Sequence, residues 1–135
     1  MDERDPVARL TAFFEAMHGW EVWRAQAWSS DRDPGVDERA RAELDAIYLE
    51  HCTPKPRLHG RQASLSFSNP PGYDVATQPV VSVERTGRRA VVRTDKTDGL
   101  RSKYRYTLVL SANGWRVDRR EFYDSFEEKW ARSSL

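Results

Sequence analysis

Features that usually identify an activity are scarce in this 135-residue chain. A single cysteine, Cys52, excludes an internal disulfide and a cysteine-cluster zinc site, and it is typical of a reducing compartment. No apolar run approaches the roughly 18 residues that a membrane span needs. The N-terminus, MDERDPVARL, lacks the basic and apolar regions of a secretory signal. We therefore expect a cytoplasmic protein with no membrane partner.

Metal-ligating and nucleophilic residues are equally sparse. His18, His51 and His59 are too widely spaced for a metal site. Cys52 follows a predicted helix at the end where the helix dipole disfavours a thiolate, so it is a poor nucleophile. There is no glycine-rich phosphate-binding loop. We expect no metal, no cofactor and no self-sufficient catalytic motif.

The residues that are present describe a globular protein. Charged residues make up 32% of the chain, and five Trp, five Tyr and five Phe supply bulky core material. This length fits one domain, so residues 1–135 are predicted to form a single domain. Basic residues flanking a predicted turn could suggest nucleic acid, but such a cluster is more often a solvated strand edge. We expect no nucleic-acid partner; the residues in question are Arg85, Arg88, Arg89 and Arg93.

The first half of the chain has helical spacing. Asp5 before Pro6 predicts a helix start, and apolar residues three and four apart continue that helix to about Trp28. A loop is predicted over residues 29–35. A second amphipathic helix then runs from Val36 to His51 and is ended by the prolines of the TPKP stretch.

The second half has the period of two that strands show. It predicts a strand over residues 63–68, an irregular crossing over 69–74 and a hairpin that pairs 79–84 with 89–95. A last short helix is predicted from Asp124 or Ser125, with Phe126 and Trp130 one turn apart. Segregated helices and strands predict an α+β fold, in which a curved antiparallel sheet of about five strands packs on the N-terminal helices.

Residues 103–118, KYRYTLVLSANGWRVD, predict a further hairpin and its register. Asn113 and Gly114 suit the positive φ values of a type I′ turn. A three-residue loop with Gly114 in a bulge is the alternative, and it would pair Thr107 with Arg119 and Arg105 with Glu121. It gathers fewer apolar residues on one face, so the type I′ register is preferred. The preferred pairs are Ala112 with Trp115, Leu110 with Val117, Leu108 with Arg119, Tyr106 with Glu121 and Tyr104 with Tyr123.

This register defines a candidate pocket on the concave face of the sheet. Glu121 among aromatic rings could act as a general base, with a tyrosine donating to a developing oxyanion. The alternative is that Arg119 and Glu121 form a local ion pair at the rim. The candidate pocket residues are Tyr104, Tyr106, Trp115, Arg119 and Glu121.

The connection between the two helices is rich in acidic residues beside a tryptophan. It can be explained by helix capping and solubility, or as an acidic surface that steers a basic protein partner. Charge is unevenly distributed, because residues 1–60 carry a net −4 and residues 61–135 a net +5. The candidate partner-binding residues are Trp28, Asp31, Asp33, Asp37 and Glu38.

Four segments resemble the nuclear transport factor 2 fold immunity proteins of bacterial polymorphic toxin systems. They are FFEAMHGWE (13–21), AELDAIYLEHCTPKPR (42–57), SFSNPPGYD (66–74) and KYRYTLVLSANGWRVD (103–118). The Gly-Trp-x-Val-Asp ending is shared widely across the nuclear transport factor 2-like superfamily, whereas TPK, PPGYD and YRYTL together are more particular.

The resemblance implies a cone-like fold and a protein that is not an enzyme. Its implied role is to bind and neutralise a cognate toxin domain in the cytoplasm of the producing cell. It supplies no catalytic residues, and it leaves a homodimer open. The alternative within the superfamily is a small-molecule isomerase or cyclase, or a ligand-binding protein, that uses the cone pocket and Glu121.

Overall fold

Two helices begin the fold. The computed structural model describes residues 5–30, 35–57, 65 and 71–135, in which α1 is Pro6–Ser30 and α2 is Gly35–His51. Asp5 caps α1, because its Oδ1 accepts a hydrogen bond from the Val7 amide at 2.9 Å. At its other end, α1 runs two residues beyond the predicted end at Trp28. In the described parts of the chain, neither helix combines the length and the apolar character needed to cross a membrane.

Five strands follow in a simple meander. They are β1 Val80–Thr86, β2 Arg89–Asp95, β3 Lys103–Ser111, β4 Gly114–Asp124 and β5 Lys129–Ser133. Each strand pairs antiparallel with the next, in the order β1-β2-β3-β4-β5. The predicted α+β class with a five-stranded antiparallel sheet is confirmed. The strand predicted over 63–68 lies outside the described residues, apart from Leu65.

The predicted terminal helix is wrong, because this segment forms β5. Asp124 does cap a turn, since its Oδ1 accepts from the amides of Phe126 (3.0 Å) and Glu127 (3.3 Å). Glu128 then adopts a left-handed φ of 54°, which reverses the chain instead of extending a helix. Trp130 consequently pairs with Tyr123 across the strands instead of stacking on a helix face.

The preferred register of the β3–β4 hairpin is also wrong. Ser111 pairs with Gly114, so the two-residue loop is Ala112-Asn113. Gly114 has a φ of 97°, whereas Asn113 is not left-handed, which is typical of a type I turn followed by a glycine bulge. The Ser111 hydroxyl stabilises this turn by accepting from the Asn113 amide at 3.2 Å.

A second irregularity decides which face of β4 each side chain occupies. Leu108 pairs with Val117 but Thr107 pairs with Arg119, so Asp118 is the extra residue of a bulge. Beyond the bulge the pairs of the rejected register hold, including Arg105 with Glu121. Since side chains alternate between faces, one inserted residue moves every later side chain of β4 to the opposite face.

The inner face of the sheet packs on α1 through aromatic rings. Phe14 contacts Tyr106 of β3 at a centroid separation of 5.3 Å and Tyr73 at 5.2 Å, both edge to face. Tyr73 comes from the crossing that precedes β1 and is fully buried. Trp115 and Val117 of β4 are also fully buried, as their predicted inward orientation requires.

The end of α2 is joined directly to β4. Cys52 forms an isolated parallel bridge with Val117, and the Thr53 amide donates to the Val117 carbonyl at 2.9 Å. This junction lies immediately before the Asp118 bulge. It brings the segment after α2 alongside the middle of β4.

Candidate functional site

The inner face carries a buried polar network in place of an ionisable pocket. Gln78 Oε1 accepts hydrogen bonds from the hydroxyls of Thr94 (2.8 Å) and Tyr106 (2.9 Å). Burial raises the pKa of Tyr106, so its hydroxyl stays protonated and donates. The buried hydroxyls thus have a hydrogen-bond acceptor within the protein, which is typical of a network that stabilises the fold.

The described interior next to this network leaves a cavity of about 130 Å³. Ligand pockets usually measure about 300–1,000 Å³, so this cavity is too small for a drug-sized ligand. It is lined by Leu10, Thr11, Phe14, Val75, Gln78, Pro79, Val80 and Thr94. Aromatic side chains fill the neighbouring part of the cone.

Arg120 occupies the inner position that the predicted register gave to Glu121. Its guanidinium lies over the rings of Tyr104, at 4.7 Å, and Tyr73, at 5.5 Å. It also donates to Ser133 Oγ at 3.2 Å and to the Ser134 carbonyl. Arg120 therefore ties the end of β5 to the aromatic interior.

Glu121 lies on the outer face, which corrects the candidate pocket. Arg105 donates to both of its carboxylate oxygens, from Nε at 2.9 Å and from Nη2 at 3.2 Å. These hydrogen bonds hold the pKa of Glu121 below its usual value, although burial acts in the opposite direction. A carboxylate that is stabilised in its charged form and faces away from the cone is unsuited to act as the general base that the enzyme alternative requires.

The five candidate pocket residues therefore do not meet. Tyr104, Tyr106 and Trp115 lie on the inner face, whereas Arg119 and Glu121 lie on the outer face. Arg119 is exposed and donates to Thr107 Oγ1 at 3.4 Å. The Asp118 bulge is the physical reason for this separation, because it exchanges the faces of the residues that follow it.

The bulge also builds a basic cleft that the sequence analysis missed. The cleft, of about 420 Å³, lies between the segment after α2, the middle of β4 and the end of β5. Its lining has five cationic side chains and one carboxylate. It is lined by Lys55, Pro56, Arg57, Asp118, Arg119, Arg120, Arg132, Ser133, Ser134 and Leu135.

The single carboxylate of this basic cleft is already engaged. Asp118 Oδ1 accepts from the Thr53 hydroxyl at 2.8 Å and from Lys55 Nζ at 3.0 Å. Partial burial raises the pKa of Asp118, but these two hydrogen bonds and the Lys55 charge outweigh it and lower the pKa from 3.8. Arg57 donates to the carbonyls of Thr53 (2.9 Å) and Asp118 (3.4 Å), which fixes its guanidinium.

Three candidate partner-binding residues lie within the described ranges, namely Trp28 near the end of α1 and Asp37 and Glu38 in the first turn of α2. Arg24 forms an ion pair with Asp37 at 2.9 Å and lies over the ring of Trp28 at 5.8 Å. Trp28 is 52% exposed, and Glu38 is exposed. Asp31 and Asp33 lie outside the described residues. The structure thus brings Trp28 and Asp37 together through one arginine.

His51 and Cys52, at the end of α2, are both buried. Arg9 Nη1 donates to Nδ1 of His51 at 2.9 Å. Burial, assisted by the Arg9 charge, lowers the pKa of His51 against the opposing influence of Glu50. Burial raises the pKa of Cys52 to about 12, which makes the thiol inert. No three His, Cys, Asp or Glu side chains gather as a metal site within the described ranges, and His59 lies outside them.

Comparisons with known proteins agree with this fold. The family model described as NTF2 fold immunity protein, where NTF2 is nuclear transport factor 2, matches residues 6–134. A curated relative, Immunity protein RhsIA of Dickeya dadantii (strain 3937), is 32% identical over 126 residues, which cover 93% of each chain. No solved structure matches at a significant level. Since the family model spans nearly the whole chain, this protein belongs to the NTF2 fold immunity protein family.

Proposed function

We propose that this immunity protein protects the cell that produces it by binding a cognate toxin domain in the cytoplasm and blocking its active surface. Family membership over residues 6–134 carries the proposal. The relative is itself named as an immunity protein. Binding a protein requires no catalytic residue, which fits a carboxylate, Glu121, that is paired on the outer face.

The filled interior supports a function exerted from the surface. Aromatic rings and the guanidinium of Arg120 occupy the cone where an enzyme of this superfamily would hold a substrate. Protein partners are instead recognised through exposed aromatic and charged side chains. We therefore expect the toxin to be recognised by the protein surface and not by the interior of the cone.

The acidic end of the helices is the surface that we propose for a basic region of the toxin. It consists of Trp28, Asp31, Asp33, Asp37 and Glu38. Tryptophan is frequent among the residues that dominate binding energy, and surrounding acidic groups steer a basic partner during association. The contact between Arg24 and both Trp28 and Asp37 preorganises two members of this set.

Co-expression with the cognate toxin domain tests the proposal. Cells that carry both proteins should survive, and the two chains should co-elute in size-exclusion chromatography. A toxin domain from an unrelated toxin–immunity pair is the specificity control and should still kill. Loss of viability with the cognate toxin, at full expression of the folded immunity protein, would refute the function.

A pair of substitutions on α1 tests the acidic end. Trp28→Ala should weaken toxin binding about tenfold, because it removes a half-exposed aromatic anchor. Val22→Ala is the matched control, since Val22 is 38% exposed on the same helix but carries neither charge nor ring. Equal affinities of the two variants, measured by calorimetry, would remove Trp28 from the interface.

A further inference from the structure

The side chains that line the basic cleft carry more positive than negative charge, although Glu121, which pairs with Arg132 across the strands, also interacts electrostatically with Arg119 and Arg132. Its five cationic side chains come from three separated segments, whereas Asp118 is its one carboxylate and already accepts from Thr53 and Lys55. An excess of positive charge in one concave site attracts an anionic partner, and clefts concentrate the electrostatic field.

The cations of the cleft are arranged in two layers. Arg57 and Arg120 form a fixed layer, because their guanidinium groups donate to backbone carbonyls of Thr53 and Ser134. Arg119 and Arg132 are exposed at the mouth. Within the part of the chain that is described, Arg132 donates no hydrogen bond to the protein. The two exposed guanidinium groups at the mouth are therefore the ones open to an incoming carboxylate, which the planar fork of an arginine binds in two-pronged geometry.

We propose that the basic cleft receives an acidic segment of the toxin, with aspartate or glutamate side chains directed at Arg119 and Arg132. This inference rests on the proposed function and names a second contact surface for the same partner. Together with the acidic end of the helices, it would give the complex two contacts of opposite sign. Opposite charges at two separate points fix the orientation of a partner and reject one docked in reverse.

The lining of the cleft favours a protein segment over nucleic acid. Proteins that bind single strands combine a basic groove with aromatic side chains on which bases stack. The described lining contains arginine, lysine, serine, proline, leucine and one aspartate, with no aromatic ring. The volume of about 420 Å³ suits a few side chains of an inserted segment.

Charge reversal at the mouth tests the inference. The double variant R119E/R132E should weaken toxin binding at least tenfold and should reduce the salt dependence of the affinity. The matched control is R89E/K103E, which makes the same change in charge at two exposed positions away from the cleft. Circular dichroism and thermal melting verify that both variants are folded.

The outcomes separate this inference from the proposed function. Wild-type protection and binding that R119E/R132E leaves unchanged would overturn the cleft and leave the immunity function intact. If the wild-type protein binds no toxin, a hexaglutamate peptide still tests the cleft. Binding of that peptide by the wild type and the control, but not by R119E/R132E, supports the inference. A preference for a single-stranded oligonucleotide over the peptide overturns it.

Discussion

The two ends of α2 carry opposite charges for different reasons. At the start of the helix, Asp37 and Glu38 lie in the first turn, where they stabilise the helix dipole, and Asp37 pairs with Arg24. Beyond the end of the helix, Lys55 and Arg57 meet arginines of β4 and β5. The acidic residues at the start of α2 are largely explained by the stability of that helix. The positive charge of the basic cleft is not explained by the stability of any single helix or strand.

A charged group that serves a partner is easiest to recognise where local structure gives no reason for its presence. An acidic residue in a first helical turn has a local reason to be there, so its presence says little about a partner. A set of cations gathered from distant segments works against its own repulsion, and it is the stronger sign of binding. α2, which has 17 residues and is about 25 Å long, lies between Asp37 and Glu38 at its start and the segment that reaches the basic cleft beyond its end.

Arg120→Ala should have the largest effect on stability. It tests whether this arginine of the cleft has a structural role. The substitution removes a guanidinium that lies between two tyrosine rings and bonds to Ser133 and Ser134. We expect the free energy of unfolding to fall by about 2–4 kcal/mol. Urea denaturation measures the change.

The neighbouring exposed residue supplies the control. Arg119→Ala should change the free energy of unfolding by no more than about 0.5 kcal/mol, because Arg119 is exposed and its hydrogen bond to Thr107 is long, at 3.4 Å. Equal losses for Arg119→Ala and Arg120→Ala would contradict the assignment of the two arginines to opposite faces.

Reversing the charge of the acidic end should change the association rate constant of the complex more than its dissociation rate constant. The variant D31K/D33K/E38K should lower the association rate constant about fivefold at low salt, and the effect should vanish at high salt. The cleft variant R119E/R132E should lower the association rate constant and also raise the dissociation rate constant, since it reverses charges that both attract the acidic segment and contact it in the docked complex. Surface plasmon resonance at two salt concentrations distinguishes them.

Acidic residues in the turns of the sheet provide the control for steering. D98K/E127K/E128K makes the same change in net charge at exposed positions in the β2–β3 and β4–β5 connections. An association rate constant that falls equally in both triple variants would attribute the effect to net charge alone. It would remove the acidic end from the proposed interface.

The smallest expected effect concerns pH at the buried end of α2. Arg9 can only donate, so Nδ1 of His51 must accept and the folded ring is neutral. Because the folded state lowers the pKa of His51, the unfolded state binds a proton first as pH falls below 6.5. The contribution of His51 to stability is thus present above pH 6.5 and is lost as the solution is acidified.

His51→Gln removes this titration while keeping an acceptor for Arg9. Urea midpoints at pH 7.5 and pH 5.5 should therefore differ less in His51→Gln than in the wild-type protein. The other histidines are the same in both proteins and cancel in the comparison. If the two proteins lose the same stability over this interval, His51 does not titrate as described.

Prediction from sequence succeeded where periodicity was local and failed where one inserted residue mattered. The helical spacing gave α1 and α2 to within two residues, and alternation gave β1 and β2. The register of β3 and β4 failed because the turn is Ala112-Asn113 and Asp118 is bulged. Ser111, a good first residue for a type I turn, was the available signal.

The candidate sites show the same difference between residues that are near each other in the chain and residues that only the sheet brings together. Trp28 and Asp37, which lie near each other on consecutive helices, are in contact with one arginine. Arg119 and Glu121 were assigned to the cone and lie on its outer face. The basic cleft could not be inferred, because Lys55 and Arg132 are far apart in the chain and meet only through the sheet.

The sequence alone determined the order of the elements, the α+β class, the burial of Trp115 and Val117, and the resemblance to a family of immunity proteins. These properties follow from short-range periodicity and from motifs read along the chain. Only the tertiary structure decided the face of each residue after Asp118 and the assembly of the basic cleft. The reason is that side-chain direction in a strand alternates, so a single bulge, held where the end of α2 meets Val117, reverses it for all that follows.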